Sequence, residues 1–248
     1  MFAVVVAAGT SSRMGDISQK QTKVFLPLYN NLTVLDCALK SLVDSGVVSG
    51  IVVVVREEDM ESADNALEKY KSIIHTVVVI GGATRQQSVF NGLEAVKARL
   101  AARLEEVVLI HDGARPCVTP EKIKEVVCAA RDHGAAILAV PVYGTLKKAE
   151  EDVRGDDIVI EQTINRQHLW MANTPQAFSF DLIYGAYKKA IEGGIVATDD
   201  SQLLEQTGSL KPNMGIKIIA DYSTNIKITA QSDLELCAAI LKSNHNNL

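Results

Sequence analysis

Residues Met1-Phe2-Ala3-Val4-Val5-Val6-Ala7-Ala8-Gly9-Thr10-Ser11-Ser12-Arg13-Met14, with Lys23 ten positions beyond Arg13, decide how this chain is read. The apolar run Met1 to Val6 has the length and β-branched content of a strand buried on both faces. It stops at Ala7-Ala8-Gly9, where small residues let backbone N–H groups come close to an anion. Arg13 can fork onto phosphate oxygens and Lys23 acts as a movable point charge. Together these residues predict a polyphosphate site at the strand end, with Ala7, Ala8, Gly9 and Thr10 as its cradle. The stretch fits neither G-x-x-x-x-G-K-[ST] nor G-x-G-x-x-G, which disfavours an ATPase or an ordinary dinucleotide enzyme. It also reads as a plain strand-to-helix loop with two solvated cations.

With 248 residues, 47% of them hydrophobic, the chain can bury one sizeable core and is expected to be a single domain over 1–248. Its net charge of −5 argues against a general nucleic-acid binder, while leaving room for a local cationic pocket. The first apolar stretch has no basic leader, and no run approaches the roughly 20 residues of a membrane span. The expectation is a soluble, cytoplasmic protein with neither membrane nor nucleic acid as partner. Cys37, Cys117, Cys128 and Cys237 are scattered, with no zinc spacing, and read as reduced thiols. His75, His133, His168 and His245 form no cluster.

Further strands are expected at Gly50 to Val55, Thr76 to Ile80, Glu106 to His111 and Ala135 to Val140. Helices fall between them: one carries Val34, Leu35, Ala38, Leu39 and Leu42 with Gly46 as its stop, another spans roughly 58–72, and a third carries Val89, Leu93, Val96 and Leu100. Thr119 reads as the N-cap of a fourth, with Pro120 at its first position. This alternation predicts an α/β fold, a largely parallel sheet with helices on both faces. Ligands bind such sheets beyond the carboxyl ends of the strands. Three loops there carry Arg13 with Lys23, Arg85 after Gly81-Gly82-Ala83-Thr84, and Asp112 with Arg115.

Between 142 and 167 the rhythm changes. Gly144 to Lys148 and Ile158 to Ile164 can alternate across a ribbon, with acidic Glu150 to Asp157 as its turn. A two-stranded ribbon is marginal alone, so it is expected to pack on a second subunit in a homodimer, unless it is a mobile surface hairpin. Beyond it, Asn173 to Phe178 reads as a turn into a helix from Asp181 to Ile191, and Ala197 to Ser201 as the cap of a short helix ending near Gly208. Lys217 to Ile219 and Asn225 to Ile228 read as short strands. The last helix uses Leu234, Cys237 and Leu241, with Ser232 and Glu235 as a capping box and a frayed end from Ser243. Trp170 and Phe178 read as core anchors, and His111 as satisfied within its strand end.

With these segments in view, the chain resembles the cytidylyltransferase family of the non-mevalonate isoprenoid pathway, which acts on 2-C-methyl-D-erythritol 4-phosphate. The resemblance runs through nearly the whole chain. It rests on Ala7-Ala8-Gly9…Arg13-Met14, Lys23 to Leu26, Gly81-Gly82…Arg85…Ser88-Val89, His111-Asp112…Ala114-Arg115-Pro116, Thr145-Leu146-Lys147, Arg166…Leu169-Trp170, Thr174 to Phe178, Thr198-Asp199-Asp200 and Asn225-Ile226-Lys227. It implies a Rossmann-like nucleotidyltransferase fold with a β-ribbon dimerisation arm, CTP and a polyol phosphate as substrates, and Mg²⁺. In the implied reaction a substrate phosphate oxygen attacks the α-phosphorus of CTP in line and pyrophosphate leaves. The attacking phosphate is already largely ionised at neutral pH, so no general base is needed.

The resemblance places Arg13, Lys23 and Lys227 on the triphosphate as the catalytic cations. Gly82, Ala83, Arg85 and Ser88 become the cytosine-facing loop, with Asp112 and Ala114 also at the nucleotide. Asp112 is the metal candidate, its alternative role being a pair with Arg115. Arg115, Thr145 and Arg166 are assigned to the second substrate, Arg166 from across the dimer unless it is a rim ion pair. Thr198 and Asp199 serve polyol hydroxyls or cap a helix. The family usually has other residues where this chain has Ser11 (glycine), Thr22 (proline), Val24 (glutamine), Gly144 (aspartate), Asn173 (glutamine) and Thr224 (aspartate). Two alternatives stay open: a cytidylyltransferase for ribitol 5-phosphate, and a non-catalytic nucleotide-binding protein that keeps the fold.

Overall fold

Successive residues of strand β1 (Phe2–Val6) face opposite sides of one sheet, and each side has its own apolar cluster. A computed structural model describes residues 1–9, 22–100, 106–150, 158–210, 212 and 214–245. Ala3 and Val5 join Leu35, Leu39 and Leu42 of α1 (Val34–Asp44), Leu67 of α2 (Met60–Glu68), and Ile123 and Val126 of α4 (Pro120–His133). Phe2 and Val4 join Val89, Leu93 and Val96 of α3 (Arg85–Leu100), Ile183 and Tyr187 of α5 (Phe180–Gly193), and Leu203 of α6 (Asp200–Gln206). A third cluster, Val34, Cys117, Ile228 and Cys237, seats α7 (Gln231–His245). Burying each such side chain contributes about 1.5–3 kcal/mol, which is why the period-two and period-3.6 patterns determine these elements.

Besides β1, the main sheet contains β4 (Gly50–Val55), β5 (His75–Ile80), β6 (Val107–Asp112), β7 (Ala135–Pro141), β10 (Trp170–Ser179) and β11 (Lys217–Ala220). Its order is β11-β7-β10-β6-β1-β4-β5. β1 pairs in parallel with both β4 and β6, Val4 lying against Val52 on one side and Ile110 on the other. Helix α3 can lie close on this centre because Gly92 has no side chain: a Cβ there would stand 2.4 Å from Val4 Cγ1. Thr119 caps α4 and Pro120 opens it, as expected. Two small ribbons complete the described residues: β2 (Pro27–Tyr29) with β3 (Leu32–Thr33), and β8 (Leu146–Ala149) with β9 (Ile160–Ile164).

Several expectations need correction. Asn173 to Phe178 is no turn but part of β10, which runs antiparallel between β6 and β7. The register shift between Ala172 and Gln176, around a cis Thr174–Pro175 bond, accommodates the turn-forming residues inside a strand. Asn225 to Ile228 forms no ladder and is held by the Asn225 side chain and by one backbone bond from Ile228. The capping box at Ser232 and Glu235 is replaced by Asp233, whose carboxylate accepts from the backbone N–H groups of Thr229 and Ala230. Trp170 is exposed and so is not a core anchor, whereas Phe178 is fully buried. The ribbon's turn, 151–157, lies outside the described residues. No helix among the described residues is long and apolar enough to cross a membrane.

Candidate active site

The carboxyl ends of β1, β5 and β6 deliver three small-residue loops to one place, Ala7-Ala8-Gly9, Gly81-Gly82-Ala83 and Asp112-Gly113-Ala114. Backbone bonds that prolong the sheet hold them together. Ala7 N donates to Val54 O at 2.7 Å, Gly81 N to Val55 O at 2.7 Å and Gly113 N to Val6 O at 2.9 Å. The loops touch so closely that a Cβ on Gly81 would stand 2.7 Å from Ala8 Cβ and 2.8 Å from Ser88 Oγ. Between them lies a cavity of about 320 Å³ lined by Ala7, Ala8, Gly9, Lys23, Gly82, Ala83, Arg85, Ser88, Asp112, Ala114 and Lys227, with Val6, Val24, Thr84 and Thr229. Thr84 Oγ1 accepts from Gln87 N at 3.0 Å, capping α3 at the cavity wall. The helix thereby presents its partial positive end there.

Charge in the cavity is organised around Asp112. Its Oδ2 accepts from Lys227 Nζ at 2.6 Å and its Oδ1 from Arg85 Nε at 3.1 Å. Arg85 then forks onto Asp200, Nη1 to Oδ1 at 3.0 Å and Nη2 to Oδ2 at 2.8 Å, and the Tyr187 hydroxyl also donates to Asp200. Burial alone pushes the Asp112 carboxyl up, but Arg85 and Lys227 outweigh it and hold the group well below the usual carboxylate range. Burial pushes the Arg85 guanidinium down, and Asp200 and Asp112 more than reverse this, so its charge is fixed. The Asp112–Arg115 alternative is not what forms: Arg115 Nη1 donates to Asn225 O at 2.8 Å.

Beneath Asp112 the network is neutral. Asp112 N donates to Thr174 Oγ1 at 3.0 Å, the threonine hydroxyl donates to His111 Nδ1 at 3.1 Å, and His111 Nε2 donates to Arg115 O at 3.2 Å. Burial pushes the imidazole down to about 4. His111 is thus satisfied within the strand end, as expected, as the Nε2–H tautomer.

Lys227 owes its place to a clasp on its own segment. Asn225 Nδ2 donates to Thr174 O at 3.0 Å and to Asp221 Oδ2 at 2.7 Å, and Asn173 Nδ2 donates to the same Asp221 oxygen at 2.8 Å. Ile228 N donates to Ala114 O at 2.9 Å, fixing the far side.

The structure therefore brings together Ala7, Ala8, Gly9, Lys23, Gly82, Ala83, Arg85, Ser88, Asp112, Ala114 and Lys227. It does not bring Arg115, Thr145, Arg166 or Thr198 into the same cavity. Arg115 donates through Nη1 to the Asn225 carbonyl, Arg166 donates to the Tyr143 carbonyl on the arm, Thr145 is exposed, and Thr198 donates to Gln202 Oε1. Asp199 caps α6, its Oδ1 accepting from Gln202 N at 2.9 Å. Thr10 and Arg13 lie outside the described residues. Ser88 orders the loop, accepting from Gly82 N at 3.0 Å and donating to Thr84 O at 2.9 Å, so the Gly82 N–H is already engaged. Tyr187 and Asp221 were not singled out from the sequence, and Asp200, though part of the Thr198-Asp199-Asp200 motif, was given no role of its own. The motif did not reveal that Asp200 holds an arginine, because acidic residues are ordinary at a helix start.

A mostly parallel sheet whose carboxyl edge carries a small-residue cradle, a helix start, two lysines and one buried carboxylate defines an α/β protein of the nucleotidyltransferase class. A family model for 2-C-methyl-D-erythritol 4-phosphate cytidylyltransferase matches residues 1–243. Proteins of that name from Pelotomaculum thermopropionicum and Geobacillus thermodenitrificans are each 39% identical, over 99% and 97% of this chain and 96% of theirs. Among solved structures, the 4-diphosphocytidyl-2C-methyl-D-erythritol synthase of Anaerococcus prevotii superposes with a TM-score of 0.77 at 31% identity, covering 97% of this chain and 95% of its own. The Thermus thermophilus cytidylyltransferase gives 0.73 at 28% identity, covering 96% and 98%. The chain belongs to the 2-C-methyl-D-erythritol 4-phosphate cytidylyltransferase family.

Proposed function

We propose that this chain transfers the cytidylyl group of CTP to 2-C-methyl-D-erythritol 4-phosphate, releasing pyrophosphate and giving CDP-methylerythritol. The observation that carries this is the convergence of Lys23, Asp112 and Lys227 on one small-residue cavity at the sheet edge. Two polyanions repel, and the principal task is to hold them together while charge shifts around the α-phosphorus. An oxygen of the sugar phosphate forms the new bond to that phosphorus as the bond to the β-phosphate bridge breaks. Lys23 and Lys227 neutralise charge on the non-bridging oxygens and the departing pyrophosphate. Arg13 is assigned to the triphosphate with them.

Asp112 would be the protein ligand for Mg²⁺. It is the one carboxylate among the described cavity residues, and no group of three metal-ligating side chains occurs among the described residues. Each Asp112 oxygen accepts one side-chain hydrogen bond, which leaves acceptor capacity on both. A single carboxylate completed by phosphate oxygens and water is the usual Mg²⁺ arrangement, so the donor set fits. The ion would supply charge neutralisation on the phosphates.

The working form is a cytoplasmic homodimer joined through 142–167. All four residues of β8 are exposed, and Tyr143, Ile158, Val159, Trp170 and Met171 present apolar surface around the arm. Thr145 and Arg166 sit on this arm and serve the partner's second-substrate site, whereas Arg115 acts within its own chain by holding the Lys227 segment. Gly82, Ala83 and Arg85 face the cytosine, and Thr198 with Asp199 lies toward the polyol. A pyrophosphate-release assay tests the proposal, run with CTP against the other nucleoside triphosphates and with methylerythritol phosphate against ribitol 5-phosphate. Release with CTP and methylerythritol phosphate alone is expected. CTP binding without release by any polyol phosphate would make the chain a nucleotide-binding protein instead.

A further inference from the structure

Lys23 stands between two buried neighbours, and one of them is polar. Thr22 is 2% exposed and Val24 is 3% exposed. The Thr22 hydroxyl donates to Asp59 Oδ2 at 2.7 Å and accepts from an Arg56 guanidinium N–H. Arg56 Nε in turn donates to the same Asp59 oxygen at 2.9 Å, closing a three-membered polar ring, and Arg56 Nη1 pairs with Glu58 at 2.8 Å. Arg56 directly follows β4, which is paired to β1, so the ring ties the Lys23 turn to the sheet that carries the cradle. Thr22 also sets the turn itself. Its carbonyl accepts from Phe25 N at 3.0 Å, and its backbone lies at φ −63°, ψ 132°.

We infer that Thr22, held by Arg56 and Asp59, is a positioning residue that aims Lys23 at the transferred phosphoryl group. Lysine reaches a phosphate through a long, freely rotating stem, so its effective position is set by how firmly its backbone is fixed. Val24 and Phe25 fix one side by apolar burial. On the other side the fixing group is a hydroxyl whose hydrogen donates to the carboxylate while its oxygen accepts from the guanidinium. A displacement of about an ångström at a charge-stabilising group costs on the order of a hundredfold in rate, so loss of the ring should reach the chemistry. The φ of −63° is also the angle a proline ring imposes, which gives a second way of fixing this backbone.

This inference rests on the assignment of Lys23 to the triphosphate, and one experiment separates the two. Turnover and the KM of each substrate are measured for Thr22→Val, Thr22→Ser, Thr22→Pro and Lys23→Ala in the full-length protein, with melting curves. Thr22→Val keeps shape and removes the hydroxyl. It is expected to lower kcat about tenfold while the KM for the polyol phosphate stays within twofold, with Thr22→Ser near wild type and Thr22→Pro recovering most of the loss. A purely structural role would lower the melting temperature of Thr22→Val and leave kcat per folded molecule unchanged, which would overturn the inference. If Thr22→Val does not fold, Asp59→Asn supplies the same reading: a kcat loss supports the inference and an unchanged kcat overturns it. An unchanged kcat in Lys23→Ala would instead remove the assignment of Lys23 itself.

Discussion

Lys227 Nζ lies 2.6 Å from Asp112 Oδ2, although 115 residues separate them. Asp112 ends a central strand, whereas Lys227 comes from a segment with no ladder of its own. Contacts of Asn225 with Asp221, Thr174 and Arg115, and of Ile228 with Ala114, bring the lysine to the sheet edge. Replacing Asp112 with Asn keeps the shape and removes the charge that both Lys227 and Arg85 engage. We expect Asp112→Asn to lower turnover by at least tenfold and to raise the Mg²⁺ concentration giving half-maximal rate. Metal titrations of initial rate check this, and an unchanged metal dependence would remove Asp112 as the ligand.

Asp200 is fully buried and carries the fork of Arg85, so Asp200→Asn leaves that guanidinium without its second counter-charge. Breaking a buried pair by removing one partner costs about 3–5 kcal/mol. Asp112 still engages Arg85, so the low end is expected, about 3 kcal/mol, or a fall of about 6–12 °C in melting temperature. Tyr187→Phe removes one hydrogen bond to the same carboxylate and should cost about 1 kcal/mol. Denaturant unfolding of both variants measures the ratio.

The fate of His111 sets an acid limit. Its folded value is pushed down to about 4, against 6.5 for an unfolded histidine, because burial disfavours the charged ring. Below 6.5 the unfolded chain takes up a proton that the folded chain refuses, so stability falls as pH drops through this window and levels below about 4. The loss from this group is about 3 kcal/mol at 1.36 kcal/mol per unit. Asp112, held below its ordinary 3.8, adds its own loss only at lower pH. Unfolding free energies from pH 7 to 4 show the slope, and an NMR titration should find the Nε2–H tautomer intact at pH 5.

Gly81 is where two cradle loops touch. A methyl group there would meet Ala8 Cβ at 2.7 Å and Ser88 Oγ at 2.8 Å. Gly81→Ala is therefore expected to push the loops apart and raise the Kd for CTP about tenfold, at a stability cost of about 1–3 kcal/mol. Calorimetric CTP binding beside a melting curve tests both.

The parallel half of the sheet was legible because β1, β4, β6 and β7 are apolar runs with no competing signal. β10 was not: Asn173, Thr174 and Pro175 carry every local mark of a turn. Its place between β6 and β7 depends on non-local pairing, across more than 60 residues to β6 and across the whole arm to β7. In the site, Lys23, Arg85, Asp112 and Lys227 announced themselves as charges in a family pattern beside small-residue loops. The roles of Asp200 and Asp221 were not legible, because a buried acid that holds an arginine or an asparagine looks in sequence like any helix cap or loop acid. Trp170 misled in the other direction: its size suggested the core, yet it lies at the exposed end of β10, beside the arm.

Single-turnover release of pyrophosphate from CTP and methylerythritol phosphate by Lys23→Ala and Lys227→Ala most directly tests whether these two lysines carry the transfer. Each is expected to be slowed by about 10²–10³, the usual loss when one charge-stabilising donor is removed, with CTP still bound. Wild-type release rates in both variants would contradict it.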